Sequence, residues 1–154
     1  MNNNDVIRCL RHVLNVNESA IAEIFKHARH QIDQANIANL LKEPDEDGFM
    51  ACPDTLLSLF LDGLISSRRG KSDKKPEDIP NNPPALDNNL ILKKLRIAFD
   101  LKEYDLLELM SLANYAVSKS ELSSVFRKPG NKHYRECNDD FLMSFLLGLT
   151  FRQW

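Results

Sequence analysis

The chain has 154 residues, 43% hydrophobic and 27% charged, with a formal net charge of −2. These are ordinary globular proportions, and the charge is too small for a general pull toward nucleic acid or an anionic membrane. Three cysteines, Cys9, Cys52 and Cys137, are odd in number, far apart and without a C-x-x-C pair, which argues against a disulfide framework or a zinc site.

The chain opens Met-Asn-Asn-Asn-Asp, without the basic and apolar regions of a secretory signal. No apolar run reaches the ~18 residues of a membrane span, so a reducing cytoplasm is the expected location. A first helix is predicted over 4–15, capped by an Asn, with Val6, Leu10, Val13 and Leu14 on its apolar face. A second is predicted over 17–28, with Ile21, Ile24, Phe25 and Ala28 inward. A third, over 33–42, is capped by Asp33 and stopped by Pro44. A fourth follows Cys52-Pro53-Asp54, with Asp54 as cap and Leu57, Phe60, Leu61 and Leu64 inward. Gly63 in its interior costs about 1 kcal/mol of helix propensity, which implies that another backbone passes close by.

Residues 71–87, with four prolines, many charges and one isolated Ile, read as a linker. After it the first pattern returns. Residues 3–69 slide onto 88–154 at an offset of 85 without a gap, and fifteen of the 67 positions are identical. Asn3/Asn88, Asn4/Asn89, Arg11/Arg96, Cys52/Cys137, Asp54/Asp139 and Gly63/Gly148 are among them. Four more helices are therefore expected, over 89–100, 102–113, 118–128 and from Asp139 onward. Ser118 and Glu121 have the spacing of a capping box. The last helix is apolar nearly all round, from Phe141 to Phe151 and Trp154, which predicts burial on every side. The expected architecture is all-α: repeats 1–70 and 88–154, packed through their fourth helices about a pseudo-two-fold axis. A homodimer is the second way to cover the last helix.

The paired segments Asn-Asn-Asp-Val-Ile-Arg-Cys-Leu-Arg with Cys-Pro-Asp-Thr-Leu-Leu-Ser-Leu-Phe-Leu-Asp-Gly-Leu, and their partners from Asn88 and Cys137, resemble the YehS-like family of small bacterial proteins. The resemblance spans essentially the whole chain. It implies two copies of one helical domain of unknown function in the bacterial cytoplasm, and it brings no catalytic residues.

The halves differ in charge. The first has 7 basic against 10 acidic residues, the second 10 against 8. The second repeat also resembles the helix order of phage-repressor-type helix-turn-helix domains. Its third helix would present Lys119, Ser120, Ser123 and Arg127, followed by Lys128, Lys132, His133 and Arg135, which suit base edges and phosphates. Gln34, Asn36, Asn39 and Lys42 hold the equivalent places in the first repeat. Against this, the Asn114–Val117 turn lacks glycine, and the loop Glu43–Asp47 of the first repeat would repel phosphate.

Cys52 and Cys137 read as buried small side chains, Asp54 and Asp139 as helix caps. Arg11 and Arg96 read as half-buried cations bridging to Glu18/Glu103 or Asp54/Asp139. His12, His27 and His30 read as solvated or half-buried histidines, and no cofactor or metal is expected. Phe49/Met50, Phe151/Trp154 and whatever part of the fourth helix the partner repeat leaves uncovered are candidates for an exposed apolar patch. The composite expectation is a non-enzymatic binding or adaptor protein with a protein partner, acting through a groove between repeats or through the third helices. The alternative is a nucleic-acid-binding regulator using the second repeat.

Overall fold

A computed structural model describes residues 1–70 and 85–154. The predicted linker lies outside the described residues except for its last three positions. Eight α-helices and no strands occur among the described residues: α1 Asn3–Leu14, α2 Glu18–His27, α3 Gln34–Leu40, α4 Asp54–Arg69, α5 Asn88–Ala98, α6 Glu103–Leu112, α7 Lys119–Val125 and α8 Asp139–Leu149. The protein is all-α, built as two tandem four-helix repeats.

Asp33 and Ser118 hold the N-cap positions of α3 and α7 as expected, while the caps of α1, α4, α5 and α8 fall one or two residues from where the sequence suggests. Asn2 and Asp87 cap α1 and α5, accepting from the backbone N–H groups of Asp5 and Leu90. Pro53 and Asn138, rather than the aspartates, hold the cap positions of α4 and α8. Only half of the α7 capping box forms. Ser118 accepts from the Glu121 N–H at 3.1 Å, while the Glu121 carboxylate lies 3.5 Å from Arg135. The chain leaves α1, α2, α5 and α6 through left-handed residues at matching positions, Asn15 and Asp100, Arg29 and Asn114. Asn114 thus supplies the positive φ of 58° for which a helix-turn-helix more often uses glycine.

Asn3 and Asn4, the first two residues of α1, take a different role. Asn4 is 2% exposed. Its Nδ2 donates to the carbonyls of Leu40 and Met50, both at 2.9 Å, and its Oδ1 accepts from the Cys52 N–H at 3.0 Å. Asn89 makes the same three bonds to Val125, Arg135 and Cys137, at 3.0, 2.9 and 2.9 Å. Asn3 donates to the Cys52 carbonyl and to Asp54, and Asn88 to the Cys137 carbonyl and to Asp139. The start of each repeat is thereby stitched to the loop that launches its fourth helix. These buried loop carbonyls and N–H groups would otherwise go unpaired, each at a cost of about 1–3 kcal/mol.

Within each repeat the second helix lies against the fourth, and the glycines set the distance. A Cβ at Gly63 would meet the Ile24 carbonyl oxygen at 2.0 Å, and one at Gly148 would meet that of Leu109 at 2.3 Å. The close approach read from the paired glycines is what the structure contains. Phe25 and Phe60 interlock beside it, their ring centroids 5.3 Å apart.

The repeats share one continuous core. They meet chiefly through α4 against α5 and α1 against α8, so the first helix of each repeat packs on the fourth of the other. This exchange has pseudo-two-fold form, but it replaces the expected packing of fourth helix on fourth helix. The α4–α5 side is the more extensive, because α4 has 16 residues and α8 only 11. Lys94–Asp62 and Arg69–Asp100 ion pairs cross it. The burial of α8 on all sides is also corrected. Met143, Leu147 and Phe151 are 53%, 48% and 58% exposed, a stripe at successive four-residue steps. The aligned positions in α4 are the polar Ser58, Asp62 and Ser66, of which Ser58 and Ser66 are half-buried and Asp62 meets Lys94 of α5.

Two substitutions test this framework. Asn4→Ala strands three backbone groups and should lower unfolding free energy by about 3 kcal/mol in a urea titration. Gly63→Ala should also destabilise, by about 2 kcal/mol or more. The clash is with backbone and outweighs the roughly 1 kcal/mol that alanine returns to the helix. A stabilised Gly63→Ala protein would contradict the α2–α4 approach.

Candidate functional site: a groove between the repeats

Leu14 and Val16 flank the turn from α1 to α2. Ala20, Glu23, Ile24 and His27 recur along one face of α2 at steps of three and four. Leu64, Ser67 and Arg68 do the same on the last turns of α4. Trp154, from the far end of the second repeat, closes the side. These ten residues line an open cleft of about 350 Å³. That volume lies in the lower part of the range of small-molecule sites, and aliphatic walls with a few polar groups are their usual lining.

Two aromatic rings fix its edge. Trp154 packs on Phe99 with centroids 4.7 Å apart and ring planes tilted by 56°, and its indole N–H donates to the Leu149 carbonyl at 2.8 Å. The Arg68 guanidinium lies over the other side of the junction, 4.8 Å from the Phe99 centroid, and its Nε donates to the Ala98 carbonyl at 3.2 Å. No carboxylate lies within ion-pair distance of Arg68 among the described residues. Burial, with nothing opposing it, pushes the Arg68 pKa below its ordinary value.

The same region of the second repeat is closed. Ala20 and Ser67 align with Asp105 and Arg152. Arg152 bridges Asp105 at 3.2 Å and Glu108 at 2.7 Å and leans toward the Trp154 ring at 5.9 Å. Phe99 and Leu101 fill the places of Leu14 and Val16. One copy of the duplicated cleft is thus plugged by an internal ion-pair network, and the other is open.

The cations singled out in the sequence gather on α7 and the loop after it. Lys119, Ser120, Ser123, Arg127, Lys128 and Lys132 are exposed. Arg135 is paired with Glu121, whereas Lys119, Arg127, Lys128 and Lys132 meet no carboxylate among the described residues. The other sequence candidates are structural. Cys52 and Cys137 are buried, and burial, with Asp54 or Asp139 nearby, pushes their thiols up to about 11 and about 12. They are therefore protonated and poor nucleophiles at neutral pH. Asp54 and Asp139 accept from Asn3 and Asn88, both at 2.8 Å. The Asn88 bond, with the Met1 amine 3.3 Å away, holds Asp139 below the usual carboxylate range.

Arg96 is half-buried as expected, but its partners are the Leu101 carbonyl at 3.1 Å and the Phe126 ring at 4.7 Å, not a carboxylate. Arg11 is exposed and makes no ion pair among the described residues. Phe49 and Met50 are half-buried, as is Trp154, and only Phe151 of those four stands exposed. Among the described residues no three His, Cys, Asp or Glu side chains converge as metal ligands.

Sequence reasoning missed Glu23, Ser67 and Arg68, and it gave His27, which stands exposed, no place in a binding site. A signal was available in the exchanges at the offset of 85: Ala20 for Asp105, Ser67 for Arg152 and Arg68 for Gln153 mark where the copies part.

No solved structure matches this chain. The chain is 40% identical over 153 residues to "Uncharacterized protein YehS" of Escherichia coli (strain K12), a match covering 99% of this chain and 97% of that protein. The family model described as "Protein of unknown function (DUF1456)" matches twice, over residues 3–70 and 88–153. The two matches coincide with the two four-helix repeats, and the chain belongs to the DUF1456 family.

Proposed function

We propose that this is a non-catalytic binding protein of the bacterial cytoplasm that works through the groove between its repeats. The observation that carries the reading is the asymmetry of a duplicated site. The plugged copy contains Asp105, Glu108 and Arg152, which satisfy one another. The open copy has no such network, and its walls are aliphatic. An apolar cleft left open to water has no structural benefit of its own, and filling it with a ligand removes apolar surface from water. The location is in keeping with the described helices, none of which is long and apolar enough to cross a membrane.

A second reading, nucleic-acid binding through α7, is favoured by the four exposed cations Lys119, Arg127, Lys128 and Lys132. Phosphate contacts are the use to which such a cluster is best suited.

Two measurements separate these readings. Trp154 is the single tryptophan of the chain and lines the groove. The neutral probe N-phenyl-1-naphthylamine should quench its emission saturably, with one site per chain. Absence of saturable quenching would remove the groove reading. Anisotropy of labelled mixed-sequence DNA and RNA at low and physiological salt tests the second. Binding that falls steeply with salt, and is lost in a Lys119→Ala/Arg127→Ala variant, would favour α7, and no binding at low salt would remove it.

A further inference from the structure

The chemistry of the groove points to one class of ligand, given that the groove reading holds. We infer that it takes a medium-length aliphatic carboxylate, with the head group on Arg68 and the chain along Leu14, Val16, Ile24 and Leu64.

The apolar part follows from the walls. Leu14, Val16, Ala20, Ile24 and Leu64 present only aliphatic carbon, and Trp154 adds a ring. The volume of about 350 Å³ is of the order of a small-molecule site, large enough to hold a short alkyl chain.

The head group follows from Arg68. Its Nε is committed to the Ala98 carbonyl and its plane is held over Phe99, so the guanidinium is oriented without a ligand. Its terminal nitrogens meet no acid among the described residues. Arg68 is exposed at the groove, and a guanidinium fixed in this way suits a carboxylate, which two parallel N–H bonds can engage at once. Glu23 is the acid in the lining, and its carboxylate is held by Lys26 at 3.1 Å. His27 adds a second polar group to the rim.

The plugged copy carries the same chemistry in closed form. There Arg152 takes the carboxylates of Asp105 and Glu108 from its own chain. In the open copy Ala20 stands opposite Asp105 and Ser67 opposite Arg152, with an arginine one residue along at Arg68. A guanidinium stands at the site, the position opposite Asp105 holds no carboxylate, and a ligand carboxylate takes its place.

The test titrates the full chain with octanoate and with 1-octanol, reading Trp154 emission, and repeats both on Arg68→Gln and Arg68→Lys. Octanoate is expected to bind about ten-fold more tightly than octanol. Arg68→Gln should bring octanoate to the octanol level, and Arg68→Lys should recover part of the difference. Equal affinity of wild-type protein for octanoate and octanol, with the neutral probe still bound, would overturn the carboxylate assignment and leave the groove reading intact. So would an Arg68→Gln variant that keeps its preference for octanoate. Failure of all three compounds to bind the wild-type protein would overturn both.

Discussion

A buried asparagine amide, used twice, is the interaction on which the rest of this molecule depends. Asn4 and Asn89 each close three hydrogen bonds with backbone groups 36 to 48 residues away. The amide suits the task because one side chain carries both donors and an acceptor. It joins the start of a repeat to the end of its third helix and to the residues before its fourth. The neighbouring Asn3 and Asn88 then anchor the first residue of that fourth helix. With its launch point fixed, the helix runs past the second helix at the distance the glycine allows. A repeat of this length has a small core, and a satisfied polar network of this kind fixes which way its elements pack.

Duplication gives the molecule its size, and divergence gives it a surface worth using. The first helix of each repeat covers the fourth of the other, so neither repeat has a complete core alone. The exchange places Phe99 of the second repeat under Arg68 of the first and brings Trp154 to the wall of the first repeat's cleft. On one side of the pseudo-axis, α4 is long and ion-paired to α5. On the other, the shorter α8 gives a thinner contact with α1. The two clefts behind these contacts have consequently gone different ways, one plugged by Arg152 and its two carboxylates, the other open.

Much of this fold was legible in the sequence because helical spacing and the 85-residue offset are local and one-dimensional signals. Gly63 and Gly148 announced a close backbone, since glycine is costly inside a helix without a reason. Asn4 and Asn89 were harder to read. A polar residue at the start of a helix looks like a cap, and only the tertiary path shows that its partners lie in a distant loop. Their clue was identity in both copies one residue beyond another identical asparagine. The exposed face of α8 was misread because an all-apolar helix does not say which of its sides a neighbour covers. Ser58, Asp62 and Ser66 in the first copy marked that side. The groove was the least legible feature. Arg68 and Trp154 are 86 residues apart and meet only because first helices pack on fourth helices of the opposite repeat.

The most direct test of this account is to install the plug of the second repeat in the first. A chain carrying Ala20→Asp and Ser67→Arg should be able to form the ion pair that Asp105 and Arg152 make. Binding of N-phenyl-1-naphthylamine to that double variant, followed through Trp154 with folding checked by circular dichroism, is the measurement. Loss of probe binding in a fully folded protein is the predicted result. Undiminished binding in a folded double variant would contradict the claim that the groove is the open counterpart of the plugged site.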